Sequence, residues 1–356
     1  MTLVLLSCTS PGPDVRAPSP SASPGSPSAS ARSSERRGDA SGFLVTVGDI
    51  ACAPGTPKTR VECHHAGTAA LLERGGPLGG DDLAAVLLLG DIQYEQGTRE
   101  EYRSFDQTWG RVLARTRARV LPVTGNHEYL NEGIPPPGCD LITGDRQACG
   151  FWAYFARSTD LLDDGDAQYV VSFGDDDAHP LVVIVLDVGR CEFVPETCGP
   201  QGPVVRYLSG VLADPAVNPP EACTVVAWHQ ARWSELGHGD LSFVDPVWRA
   251  LFRTPPDRRP DLVLNGHDHV YQRFPPLGPN GEPDRTGIVE IVVGTGGRSI
   301  AGLPWAIPTP GELEAIDASS FGVLRVDRDG DRAALTTAFV TERGQTRDRA
   351  VHHCRG

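Results

Sequence analysis

Lysine is almost missing from this chain: Lys58 is the only one, and acidic residues outnumber basic ones by 46 to 32, for a formal net charge of −14. So little positive charge leaves no general electrostatic footprint for nucleic acid. No nucleic-acid-binding platform is expected, and the stripe Tyr102, Phe105, Trp109 reads as helix core rather than a base-stacking surface. Long apolar runs are missing as well; none nears the roughly 18 residues of a membrane span. No CxxC zinc spacing is present, and no solenoid-type repeat.

Cysteine, by contrast, is plentiful. Cys8 stands alone near the start, and eight more follow at positions 52, 63, 139, 149, 191, 198, 223 and 354. At this density, without zinc spacing, they read as disulfides in an oxidising compartment. Local pairing is the simplest arrangement: Cys52 with Cys63, Cys139 with Cys149, Cys191 with Cys198, and then Cys223 with Cys354. The stretch before Cys8, MTLVLLS, is similar to a bacterial lipobox with Cys8 as the lipidated residue. Residues 1–8 lack a basic region and a full apolar segment, so either they are the remainder of a truncated signal, the reading adopted, or Cys8 is incidental. Residues 9–41 are rich in Pro and Ser and have too little apolar surface to repay ordering, so they read as a disordered tether. The expected protein is extracytoplasmic, either secreted or held at a membrane through Cys8.

Globular patterning begins at Phe43, and residues 42–356 are taken as one catalytic domain. FLVTV, AAVLLL and RVLPV read as buried strands separated by helical stretches at Thr68–Arg74 and Arg99–Arg117. A Pro- and Gly-rich excursion is expected from Asn131 to Arg157. QYVVSFG and LVVIVLD follow closely enough for an antiparallel pair. Pro203–Leu212 and Phe243–Phe252 read as helices, CTVVAWH and DLVLN as strands, and three strand-like runs close the chain. The fold class is α/β: two facing mixed β-sheets flanked by helices, a four-layer sandwich.

Five apolar runs end in side chains able to bind metal: GDI at 48–50, GDIQY at 90–94, GNHE at 125–128, VAWH at 226–229 and GHDH at 266–269. Loops leaving the ends of parallel strands are where α/β proteins collect ligands. Asp49 and Asp91 offer anionic oxygen, Asn126 an amide oxygen, Tyr94 a phenolic oxygen, and His229, His267 and His269 imidazole nitrogen. Mixed N and O donors suit iron, zinc or manganese better than calcium. These seven donors exceed what one catalytic metal with an open position uses and match a pair. In GHDH, an extended segment aims both histidines to one side and Asp268 away. Asp91, in the most central block, is the natural bridge.

In their order, these blocks resemble those of the purple acid phosphatases, a branch of the binuclear metallophosphoesterases, over about residues 43–274. The resemblance implies Asp49, Tyr94 and His269 on a ferric ion, Asp91 as bridge, and Asn126, His229 and His267 on Fe(II), Zn(II) or Mn(II). It also implies His127 and His238 as proton donors to the leaving group. Two departures stand out: Ala51 replaces the usual glycine of the first block, and the cysteine-bearing insertion is not something the core family demands. GTGGR at 294–298 lacks a P-loop lysine and reads as a turn at the site rim, with Arg298 a candidate substrate contact.

The implied activity is hydrolysis of small phosphomonoesters by metal-bound hydroxide at a binuclear centre. The alternatives are a phosphodiesterase or nucleotidase on the same scaffold and, from another class, a non-catalytic metal-binding surface lipoprotein.

Overall fold

The computed structural model of the chain describes residues 42–130, 148–156, 159–162, 167–174, 177–236, 238, 241–300, 313–329 and 333–355. The signal and tether expected over residues 1–41, with Cys8, lie outside the described residues, as does Cys139 of the second cysteine pair.

The strands are β1 (Phe43–Val47), β2 (Leu83–Leu88), β3 (Arg119–Pro122), β4 (Tyr169–Phe173), β5 (Leu181–Val185), β6 (Cys223–Gln230), β7 (Leu262–Gly266), β8 (Tyr271–Arg273), β9 (Val289–Val293), β10 (Ala315–Asp317), β11 (Gly322–Asp329), β12 (Ala334–Thr341) and β13 (Thr346–His353). The helices are α1 (His65–Ala70), α2 (Tyr102–Phe105), α3 (Arg111–Leu113), α4 (Cys149–Phe155), α5 (Pro203–Ala213) and α6 (Asp245–Leu251). A six-stranded sheet runs β13-β12-β11-β1-β2-β3, and a seven-stranded sheet runs β10-β8-β9-β7-β6-β5-β4.

Both sheets are mixed, and each has a parallel centre: β1, β2 and β3 in one, β5, β6, β7 and β9 in the other. These central strands are mostly apolar because both of their faces are covered; every residue of β1, β5, β6, β7 and β9 is buried. Leu44, Leu87, Leu121, Val183, Val225, Leu264, Leu324 and Phe339 fill the space between the sheets. The helices α1 to α4 cover the outside of the first sheet through Leu72, Phe105, Trp109, Phe151 and Phe155. On the second, α5 and α6 pack through Leu208, Leu212, Trp248 and Leu251. The result is the expected helix–sheet–sheet–helix order.

Several boundaries differ from the sequence reading. The first helix starts three residues early and stops at Ala70, since the amides of Leu71, Leu72 and Glu73 tighten onto carbonyls three residues back before Gly75 and Gly76. The helix expected over Arg99–Arg117 is broken by a π turn at Asp106–Gly110, which delivers Trp109 to full burial with its indole N–H on Thr68 Oγ1 at 3.2 Å. Within the expected excursion, Cys149–Phe155 is helical because its aromatic residues pack on that same cluster. The expected antiparallel pair is present as β4 and β5.

Three disulfides match the local pairing: Cys52–Cys63, Cys191–Cys198 and Cys223–Cys354. The last ties the C-terminal residues to the start of β6.

Candidate metal centre

Six chain segments meet where the parallel strands of both sheets end, and main-chain hydrogen bonds knit them together. The Gly48 amide donates to Val293, the Gly296 amide to Gly48, the Asp49 amide to Gly90 and the Arg298 amide to Asp49. The loop after β9 therefore joins the five blocks named from sequence. Asp49, Asp91 and His267 all have positive φ, at 60°, 46° and 69°. That conformation is costly for residues with a Cβ and is concentrated at functional sites. Gly90, at φ 84°, has no such cost, and a Cβ there would lie 2.7 Å from His229 Nδ1.

All seven candidate ligands come together. The Tyr94 hydroxyl lies 2.7 Å from Asp49 Oδ1, 2.8 Å from Asp91 Oδ2 and 3.0 Å from His269 Nε2. His269 Nε2 is also 3.2 Å from Asp49 Oδ1. On the other side, His267 Nδ1 lies 3.1 Å from Asn126 Oδ1 and 3.3 Å from His229 Nε2, which is 3.2 Å from Asp91 Oδ2. The contacts form two groups, Asp49–Tyr94–His269 and Asn126–His229–His267, and Asp91 Oδ2 touches both. Ala51, the departure from the usual glycine, is buried and its amide donates to Ile92, so Asp49 keeps its place.

The donor set fits cations better than protons. Tyr94 has one hydroxyl proton for three acceptors within hydrogen-bonding distance, and the imidazole nitrogens of His229 and His267 face one another. Burial opposes the charged forms of Asp91 and His229, but their mutual attraction prevails: it holds the Asp91 carboxyl below the ordinary range and the His229 imidazole up at about 10. Burial, then the two aspartates, push the Tyr94 phenol well above its usual value. A cation between these groups would relieve all three. Asp91, His229 and His267 alone place three ligand atoms within 4.8 Å of one another.

His127 lies over this cluster. Its ring centroid is 4.1 Å from that of Tyr94, its amide donates to Asp91 Oδ1 at 2.8 Å, and its Nδ1 is 2.5 Å from the Glu95 carbonyl oxygen. The His238 ring centroid lies 5.6 Å from that of His267 and 6.4 Å from that of His269. Asp268 accepts from the Ser234 hydroxyl, away from the cluster, but the segment is not extended as expected: β7 ends at Gly266, and residues 267–270 bend, with His267 at φ 69°. Arg298 sits 5.3 Å above the Tyr94 ring and pairs with Glu62 and Glu95.

Sequence reasoning missed three supports. The buried Glu128 carboxylate accepts from the amides of Asp91, Ile92, Gln93 and Gly125 at 2.9, 2.9, 3.4 and 2.7 Å, locking two blocks together. Burial and the nearby Asp91 charge raise its pKa to about 7. Ser299 places its hydroxyl 2.6 Å from His269 Nδ1, and the Leu89 carbonyl accepts from His229 Nδ1 at 2.7 Å. Both contacts turn Nε2 of their histidine toward the aspartates, as orienting partners of metal-binding histidines do. Only Glu128 had a sequence signal, as the last residue of GNHE.

A profile of the calcineurin-like phosphoesterase family matches residues 44–271, well over half of the chain, and the chain belongs to that family. That family is one of phosphoesterases that use a binuclear metal centre. The fold is similar to that of a purple acid phosphatase from yellow lupin (Lupinus luteus) seeds, with 18% identity, a TM-score of 0.61, and coverage of 89% of this chain and 54% of that one. This chain thus spans about half the length of the lupin protein. It is also similar to GAP50, the anchor in the inner membrane complex of Plasmodium, with 13% identity, a TM-score of 0.55, and coverage of 88% and 89%. At such identities the likeness concerns the fold. No curated protein sequence matches.

Proposed function

We propose that the chain is an exported phosphatase that removes phosphate from small phosphomonoesters at a centre of one Fe(III) and one Fe(II), Zn(II) or Mn(II). The observation that carries this reading is Asp91 Oδ2, in contact at once with Tyr94 on one side and His229 on the other. Asp49, Tyr94 and His269 would hold the ferric ion, Asn126, His229 and His267 the divalent one, and Asp91 both. When bound, the pair supplies Lewis acidity and an activated water near neutral or acid pH.

The chain's own residues do the rest. His127 and His238 flank the cleft in which the phosphate would sit, and Asp91, held by Glu128 through its main chain, keeps the two halves at a set separation. Water attacks phosphorus on the face opposite the ester oxygen. As that P–O bond breaks, His127 gives the departing oxygen a proton, and the products are an alcohol and inorganic phosphate. The Glu95 carbonyl and the Asp91 carboxylate hold His127 for this step. His238, on the opposite flank, binds the phosphate or shares in the proton delivery.

The three disulfides between described residues support an oxidising, extracytoplasmic location, and Cys8 would provide a lipid tether. GAP50 is an anchor by name, which keeps the reading of a non-catalytic surface protein in view; the intact donor set here favours catalysis.

The test uses purified protein. Elemental analysis, visible absorption, and hydrolysis of an aryl phosphate and a bis-ester are followed against pH. Expected are monoester turnover well above diester turnover and a visible charge-transfer band lost in Tyr94→Phe. Faster diester turnover would transfer the protein to the phosphodiesterase reading, and a colourless protein with two divalent ions would remove iron.

A further inference from the structure

Arg190 stands out from every other arginine described. Among the described residues it is the one arginine short of exposed whose guanidinium no hydrogen bond or ion pair holds; its charge acts on the nearby Tyr129 hydroxyl, and its Nε is closed off from solvent without an acceptor. In a chain where acids outnumber bases by 46 to 32, a half-buried cation left without a carboxylate is unexpected.

Its place explains what it could serve. Arg190 lies in a single turn, Gly189–Glu192, just past β5 on the rim of the candidate centre. On one side Gly189 packs so closely on the Gly125 main chain, next to Asn126, that a Cβ would meet the Gly125 carbonyl at 2.5 Å. On the other, Glu192 accepts from the side-chain amide of Gln230, the neighbour of His229, at 3.2 Å. The Cys191–Cys198 disulfide fixes the turn from behind. The acid before the turn, Asp187, is occupied: Oδ1 accepts from Thr124 at 2.6 Å and Oδ2 from Tyr129 at 2.8 Å. The turn thus sets Arg190 beside the half of the site formed by Asn126 and His229, and a guanidinium fork matches the oxygens of a phosphoryl group.

We propose that Arg190 binds a second phosphoryl group, carried on the leaving group, and so selects substrates with two adjacent phosphates. This rests on the phosphatase reading, because the first phosphoryl group is the one bound at the candidate metal centre.

The test compares wild type with Arg190→Ala, Arg190→Gln and Arg190→Lys, each checked for native near-ultraviolet dichroism. Substrates are inorganic pyrophosphate and phenyl phosphate, whose leaving group carries no phosphate. Arg190→Ala and Arg190→Gln are expected to raise KM for pyrophosphate at least about tenfold more than KM for phenyl phosphate, with most of the effect in KM rather than kcat, a discrimination of about 1.4 kcal/mol. Arg190→Lys should recover part of it by charge alone. A parallel change for both substrates, or none, overturns the proposal and leaves the phosphatase reading intact. If wild type turns over neither substrate, the phosphatase reading fails. Calorimetric titration with pyrophosphate and orthophosphate still judges Arg190: equal loss of both affinities in Arg190→Gln, or no loss, overturns its role, whereas selective loss for pyrophosphate supports it.

Discussion

The two halves of the candidate centre are held by different means. In the half of Asn126, His229 and His267, the support is main chain: His229 is fully buried at the end of a central strand and donates to the Leu89 carbonyl. In the half of Asp49, Tyr94 and His269, the support is side chain: Ser299 orients His269, and Arg298, paired with Glu62 and Glu95, covers Tyr94. A main-chain acceptor cannot be removed by substitution, so the first half is fixed by the fold. The second depends on replaceable groups in the loop after β9, and single substitutions can tune it separately.

Asp91 belongs to both halves, and its removal should break the comparison altogether. For Asp91→Ala, we expect the loss of about one ion per chain or more by elemental analysis, with kcat reduced at least about 10⁴-fold, near the upper range of single-group effects. Activity surviving in Asp91→Ala would sink the two-metal arrangement.

His127 and His238 flank the halves without joining either set of ligands. His127→Ala and His238→Ala should each retain the metals and lose about 10²–10⁴ in kcat. Metal loss in either variant would reassign that histidine to the ligand set.

Ser299→Ala sharpens the contrast most finely. It should weaken the ion on the Tyr94 side by about 10–100-fold and leave the His229 side near its wild-type affinity, read by competition with a chelator. Ser299→Thr, which keeps the hydroxyl, should restore the affinity. Equal weakening of both ions would show that the two halves are not separately supported.

Away from both halves lies a titration that concerns stability. His352 on β13 is held to Thr337 Oγ1 at 2.9 Å, and burial, then the Arg273 charge, lower its pKa from 6.5 to about 4; Asp348 opposes this and His353 adds to it. The native state keeps His352 neutral while the unfolded chain takes up a proton, so its contribution is present above about pH 6.5 and lost as pH falls toward about 4, to about 3 kcal/mol at most. In urea unfolding, His352→Gln should lose less stability than wild type over that window. Identical slopes would exclude His352 as a source of acid sensitivity.

The central strands and most ligands were legible because each left a local mark: a largely apolar run ending, directly or after one glycine, in Asp, Asn or His. The supports were not. Ser299 and His269 are thirty residues apart and meet only through the crossing of the β7 and β9 loops. Glu128 works on main-chain amides, whose needs leave no trace in side-chain pattern. β13 went unread because TRDRAVHH, at the sheet edge, has few apolar residues to alternate. The positive φ of Asp49, Asp91 and His267 was equally hidden, since sequence signals such backbone mainly through glycine.

The most direct measurement is the metal stoichiometry of the purified wild-type chain, taken beside its turnover of an aryl phosphate. Two ions per chain, with activity lost on chelation and restored on adding them back, are expected from Asp91 joining the two halves. One ion at full activity, or activity indifferent to the chelator in the metal-free protein, would contradict it.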